Sequence, residues 1–147
     1  MKDTTRINRR RRRGDDGVAA LEFALLAPVF IMILFAVFEF AVAFNTVQGL
    51  HAAAREGARL GSLPQSDVGE INSAVNDAMA IVVSDAAVKS IAVTDANGTT
   101  YAGGSQPCNT GADRVQVTVE ADTTLAIPFW SSVTIGLAGR GEFLCET

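Results

Sequence analysis

Residues 18–44 read VAALEFALLAPVFIMILFAVFEFAVAF. Only Glu22 and Glu39 carry charge in this stretch, and no polar side chain lies between Phe23 and Phe38. As a helix the run is about 40 Å long at ~1.5 Å per residue. A bilayer's hydrocarbon core is about 30 Å thick and needs about 20 apolar residues. A core helix of a small soluble domain keeps a polar face, and the middle of this run has none. The run therefore reads as a transmembrane helix with length to spare. Pro28 lies inside it, removing one backbone hydrogen bond and predicting a local kink or loosening.

Working outward, the 17 residues before the helix carry Lys2, Arg6 and the run Arg9 to Arg13 against Asp3, Asp15 and Asp16. This leader is basic although the whole chain has a net charge of −4. Its low apolar content predicts disorder. Basic residues beside a span favour the cytoplasmic side, so the N-terminus is expected inside and the rest of the chain outside or periplasmic. Topology and anionic-lipid contact explain the arginines better than nucleic acid, which is not expected as a partner.

Residues 45–61 continue the helix as an amphipathic extension. Gly49, Ala53, Gly57 and Gly61 recur every four residues and make a ridge of small side chains that admits a close backbone neighbour. Packing on the chain's own C-terminal domain is favoured over packing between molecules. His51, Arg55 and Arg59 form a polar ridge beside it, and His51 reads as solvated. Residues 61–65 break the helix with Gly, Ser and Pro. Ser66 or Asp67 then caps a second helix to about Val83, with Ile71, Val75, Ala78, Met79 and Val82 as its apolar stripe.

The remainder reads as β. Val88 to Thr94 is a strand, Asn97-Gly98 a turn, and Thr99 to Tyr101 a short return. Residues 103–111 form a loop containing Cys108. Arg114 to Glu120 alternates Val115, Val117 and Val119 with polar residues. Pro128-Phe129-Trp130 is an apolar loop or edge. Val133 to Leu137 and Gly141 to Cys145 fit one interrupted strand or two short ones. The fold class is α+β: a long N-terminal transmembrane helix extending into a small domain, residues 62–147, with a second helix and an antiparallel sheet of three or four strands.

Cys108 and Cys145 are the chain's two cysteines. A disulfide between them fits an oxidising compartment, and two buried free thiols are the alternative. A bridge would add roughly 3 kcal/mol to a domain whose core alone is marginal. No metal site or cofactor is expected, since one histidine and two distant cysteines make no ligand cluster. The exported part lacks histidine, a nucleophile–base pair and a phosphate-binding glycine loop, so an enzyme is not expected.

The most informative residues stand at the membrane boundary: Gly17-Val18-Ala19-Ala20-Leu21-Glu22-Phe23. A carboxylate inside an apolar helix costs about 3 kcal/mol at the centre and less near an end. Cleavage after Gly17 would create an ammonium on Val18, one helical turn before Glu22, and would remove the arginines. A signal peptide is disfavoured because the apolar run far exceeds the usual h-region.

This pattern resembles type IV prepilins, and the Glu-Phe pair resembles the Glu-Tyr of the Flp-type subclass. The wider run GVAALEFALLAPVF, followed by FEFAVAF and AAREGARLG, resembles the TadE-like family of the tight-adherence pilus system over roughly residues 14–61. The resemblance implies a pilin-like domain on a pseudopilin or minor pilin in the bacterial inner membrane. It further implies a prepilin peptidase that cuts between Gly17 and Val18, an assembly carboxylate at Glu22 with Phe23 as its motif neighbour, and other pilin-like subunits as partners. The alternative is an uncleaved, single-pass membrane-anchored extracytoplasmic binding module.

Overall fold

A computed structural model describes residues 8–82, 87–126 and 131–146. Helix α1 spans Asn8–Gly61 and helix α2 spans Val68–Val82. Strands β1 (Ala87–Asp95), β2 (Thr100–Tyr101), β3 (Arg114–Leu125) and β4 (Val133–Leu144) form one antiparallel sheet in the order β2-β1-β3-β4. A short 3₁₀ turn, Pro107–Thr110, precedes β3. The chain divides into two compact units, Met1–Phe38 and Glu39–Thr147. The architecture is thus α+β, with a long apolar N-terminal helix, a second helix and four antiparallel strands.

Several elements differ from the sequence expectation. Helix α1 begins at Asn8, within the segment expected to be disordered, and it continues through Pro28. Arginine is a good helix former, and extending an existing helix costs far less than nucleating one. β3 runs on to Leu125, and β4 is one uninterrupted strand paired with β3 along its whole length, from Leu125↔Val133 to Arg114↔Leu144. The glycines of β4 lower strand propensity, but a full ladder of partners holds them in line. The apolar stretch Pro128-Phe129-Trp130 lies outside the described residues.

The core of the second unit is built from three sources. Leu50, Ala53, Ala54 and Ala58 come from α1, and Val68, Ile71, Val75 and Met79 from α2. Val93, Val115, Val117, Val119 and Ala121 come from the sheet. Alternation along β3 places its valines on the inner face and its polar residues outside, as a half-buried strand requires. The last four turns of α1 thus act as a core element of the domain.

Small residues make that packing possible. Gly49, Ala53, Gly57 and Gly61 are all buried. A Cβ added at Gly57 would collide with the Val75 side chain, and one at Gly61 would come within 2.8 Å of Ile71 Cδ1. On the facing side, a Cβ at Gly139 would strike the Leu50 and His51 backbone, and one at Gly141 the Ala54 and Arg55 backbone. Helix and edge strand therefore approach backbone to backbone, which only glycine permits.

Local signals fix the connections. Asp67 Oδ1 accepts the Glu70 amide at 2.9 Å and Glu70 Oε2 accepts the Asp67 amide at 3.4 Å, a reciprocal cap at the start of α2. In the β1–β2 turn, Asp95 Oδ1 accepts the amides of Asn97 and Thr99, both at 2.8 Å, and Gly98 takes a left-handed φ of 82°. The Thr99 amide, more than the Asn97 amide, the Thr99 hydroxyl or the Tyr101 hydroxyl, holds the Asp95 carboxyl below its ordinary pKa. His51 differs from its expected solvated state: it is half-buried, and its Nδ1 accepts the Arg140 amide at 3.1 Å. Arg140 stands on the edge strand, so the helix supplies an acceptor that the sheet cannot.

Cys108 and Cys145 form a disulfide with a Cα–Cα distance of 5.4 Å. It joins the 3₁₀ turn to the end of β4. Beside it the Cys145 amide donates to Asp113 O and the Glu146 amide to Ser62 O. The C-terminal segment is thereby tied to the residue that follows α1. The bridge closes a separation of 37 residues, worth on the order of 3–4 kcal/mol in the chain-entropy model.

Two outcomes are expected in thermal unfolding of the full chain in detergent. Gly141→Ala should lower stability by about 2 kcal/mol, because the α1 backbone must move to admit the methyl group; Gly103→Ala, where nothing lies within 4 Å, should change stability little. Cys108→Ser and Cys145→Ser should each lose about 3 kcal/mol, and the double variant should lose no more than either single one, since both remove the same bond.

Candidate functional site

The first unit is dominated by the N-terminal half of α1. Between Val18 and Phe38 its large apolar side chains are exposed, with Phe23 at 73% and Leu25 at 71%. This is the one helix among the described residues long and apolar enough to cross a membrane, and none of its most apolar window is buried within the chain. Such continuous exposed apolar surface is unstable in water and needs an external apolar environment. By length and composition the segment is suited to a membrane anchor.

Gly17 and Glu22 sit at the start of this surface. Gly17 is exposed, and a Cβ placed there would meet nothing within 4 Å. Glycine in a helix costs about 1 kcal/mol relative to alanine, so nothing in the packing accounts for it, in contrast with Gly57, Gly61, Gly139 and Gly141. Val18 and Glu22 are four residues apart in α1, on the same helix face. Glu22 is exposed among apolar neighbours and has no hydrogen-bond partner among the described residues. Phe23 follows on the adjacent face and is exposed. Farther along, Phe40 and Phe44 stack one turn apart, with ring centroids 6.4 Å apart.

The small-residue ridge is separate from this surface. Ala53 belongs to the core, Gly57 and Gly61 face the chain's own α2 and β3, and Gly49 is buried, so at Ala53, Gly57 and Gly61 the ridge is filled from within. Of the neighbouring polar ridge, Arg55 and Arg59 are exposed. Arg59 pairs with Glu56 at 2.7 Å, and this hydrogen bond lowers the Glu56 pKa and raises that of Arg59. Exposed pairs one turn apart contribute little to stability.

Two structural partnerships were not read from the sequence. One is the contact of Gly139 and Gly141 with α1. The alternate spacing of Gly139 and Gly141 places both on one face of a strand, which was the available signal. The other is the hydrogen bond from the Arg140 amide to His51, which no local pattern announces.

Among the described residues the sheet's outer surface has open hollows. One, of about 450 Å³, is lined by Thr94, Asp95, Arg114, Gln116 and Glu142 among others. The Arg114–Glu142 ion pair, at 2.6 Å, lies among its lining residues. Among the described residues no group of three or more His, Cys, Asp or Glu side chains is placed to share a metal ion.

No curated protein and no solved structure matches the chain. The family model described as TadE-like protein matches residues 17–59. That interval starts at the glycine before the apolar run, includes Glu22 and Phe23, and ends within the half of α1 that packs on the sheet. Over this segment the chain is similar to the TadE-like family, a likeness that suggests a Tad pilus-related minor pilin with a membrane anchor.

Proposed function

We propose that the chain is a pseudopilin or minor pilin acting in assembly of a tight-adherence (Flp, type IVb) pilus, matured by prepilin peptidase cleavage between Gly17 and Val18. The observation that carries the proposal is the TadE-like match beginning at Gly17, on a helix whose apolar surface is left uncovered by the chain itself. The unconstrained Gly17 supports it further. A glycine that packing does not require, and that helix propensity disfavours, is accounted for by recognition at the scissile bond.

In this reading the leader's arginines hold residues 1–17 on the cytoplasmic side until cleavage. Hydrolysis of the Gly17–Val18 amide releases the leader and leaves an ammonium on Val18. Glu22 then carries the opposite charge one turn away. In a low-dielectric surrounding a carboxylate and an ammonium attract strongly and are costly apart. A neighbouring subunit's ammonium is a suitable partner for Glu22, so the pair favours lateral packing of helices in register. The exposed apolar faces supply the remaining contact, first with lipid and then with other pilin-like helices. The disulfide-closed domain stands on the periplasmic or extracellular side, in agreement with its oxidised cysteines.

One observation favours the second reading, an uncleaved membrane-anchored binding module. Helix α1 is continuous through Gly17 and Val18, and a peptidase that takes an extended substrate would have to unwind that turn. Gly14 and Gly17 lower the cost of doing so.

Intact-protein mass spectrometry on membranes from the native host separates the two. A mass beginning at Val18 is expected; a mass that retains Arg9 to Arg13 would leave the binding module as the function. Glu22→Ala should reduce recovery of the protein with assembled pili while membrane insertion is kept or improved, because removing a charge from the span eases insertion. Normal assembly by that variant would remove Glu22 from the mechanism.

A further inference from the structure

We infer that Asn97 is a site of spontaneous covalent modification, in which the Gly98 backbone nitrogen attacks the Asn97 side-chain amide, and that the Asp95 turn holds this reaction back while it stays closed. The inference concerns the β1–β2 hairpin. It depends neither on cleavage of the leader nor on a membrane anchor.

Sequence and exposure together set the site. Asn97 is the chain's one asparagine followed by glycine. A glycine nitrogen has no neighbouring side chain to hinder its approach. Asn45, Asn72 and Asn76 lie inside α1 and α2, where helical hydrogen bonding fixes the amide that follows each of them. Asn97 and Gly98 are exposed at the tip of the hairpin, and a Cβ placed at Gly98 would meet nothing within 4 Å. No packing covers the pair, so only the bonds of the turn itself restrain it.

Those bonds converge on Asp95. The Gly98 amide donates to Asp95 O at 3.1 Å, and the Asp95 amide donates to Thr99 O at 3.1 Å. Asp95 Oδ1 accepts the amides of Asn97 and Thr99, both at 2.8 Å. Its Oδ2 accepts the Tyr101 hydroxyl at 3.2 Å. The attacking nitrogen is thus engaged by one oxygen of Asp95, and the peptide groups on either side of the Asn97–Gly98 pair by another. To react, Gly98 N must release Asp95 O and swing toward Asn97 Cγ, which breaks the set together. A local opening of the turn, far smaller than global unfolding, is therefore the reactive state.

The reaction needs no partner but water. Gly98 N loses its proton and forms a bond to Asn97 Cγ, closing a cyclic imide. The Cγ–Nδ2 bond breaks, and the nitrogen leaves with that proton as ammonia. Water then opens the imide at one of its two carbonyls. Attack at Cγ leaves an aspartyl residue at position 97. Attack at the backbone carbonyl leaves an isoaspartyl residue, with the chain routed through the former side chain. The isoaspartyl form adds a backbone carbon to the turn, so the Asp95 bonds to positions 97, 98 and 99 no longer fit at once. β2 has two residues and pairs only through Val93↔Tyr101 and Thr94↔Thr100, so its pairing loosens with the turn.

The full chain, purified in detergent from membranes of the native host, would be aged at neutral pH, digested and mapped by mass spectrometry, with isoaspartate-specific methylation as a second readout. A parallel sample in concentrated guanidinium with the disulfide reduced gives the rate of the open chain. Asn97 is expected to be the first asparagine converted in both samples, and to convert at least roughly tenfold more slowly in the folded one. Asp95→Ala should raise the folded rate by roughly tenfold, since the turn loses its hydrogen bonds to a charged group. Equal rates in the folded and denatured samples would overturn the restraint by the turn. Earlier conversion at another asparagine, or none in guanidinium, would overturn the site. An Asp95→Ala chain that melts like the unaltered protein and converts at its rate would remove Asp95 from the restraint; if that variant does not fold, the comparison of folded with denatured unaltered chain still decides. A glycan-sized mass on Asn97, whose Asn-Gly-Thr run fits a glycosylation acceptor, would mean that the amide is capped against ring closure, which also overturns the inference.

Discussion

The structure depends on the approach of two backbones: α1 at Leu50 to Arg55 and β4 at Gly139 to Gly141. Side chains of ordinary size on either of these glycines would force the helix away from the sheet. With the helix displaced, Leu50, Ala53, Ala54 and Ala58 would lose their burial, and α2 would lose the surface against which Ile71 and Val75 pack. The close approach also brings His51 within reach of the edge strand, where it accepts the Arg140 amide. An edge strand with unpaired backbone groups invites association with other chains, and here part of that edge is occupied by the domain's own helix.

That contact gives α1 two different physical tasks along one continuous helix. Its N-terminal half exposes large apolar side chains on all sides, as a helix in an apolar medium must. Its C-terminal half carries glycine and alanine on one face, so that a sheet and a second helix can close over it. A 15-residue helix and a small sheet would provide little core of their own. Borrowing four turns from α1 supplies the missing core and makes the domain inseparable from that half of the helix. The disulfide and the Glu146–Ser62 hydrogen bond secure the other end of the same arrangement. The result is a domain held against its helix from Leu50 to the segment just beyond Gly61.

Much of the fold was legible because its signals are local. The absence of polar residues from Phe23 to Phe38 marks the apolar helix. The alternation of Val115, Val117 and Val119 marks β3, and Asn97-Gly98 marks the hairpin turn. Of the two caps the sequence offered for α2, Ser66 and Asp67, Asp67 is the one that accepts the Glu70 amide. Less was legible where neighbours compete. The basic leader looked unstructured by composition, yet α1 starts at Asn8 because the helix behind it serves as a nucleus. The glycines of β4 looked like an interruption, yet the ladder with β3 is complete because the helix packs where their side chains would be. Of the candidate site, the residues Gly17, Glu22 and Phe23 stood out by their spacing, and the TadE-like match covers them.

The sequence by itself determined the class of each segment: a helix suited to a membrane, an amphipathic continuation, a capped second helix and an antiparallel sheet. These follow from periodicity, charge and turn chemistry, which are properties of neighbouring residues. Tertiary structure alone decided what each face meets. It settled the packing of Ala53, Gly57 and Gly61 and the Cys108–Cys145 bridge in the sense the sequence favoured over its alternatives, and gave His51 to an edge strand 89 residues away. The physical reason is that a small or polar residue announces only room or hydrogen-bonding capacity, while the group that uses it is chosen by packing between segments far apart in the chain.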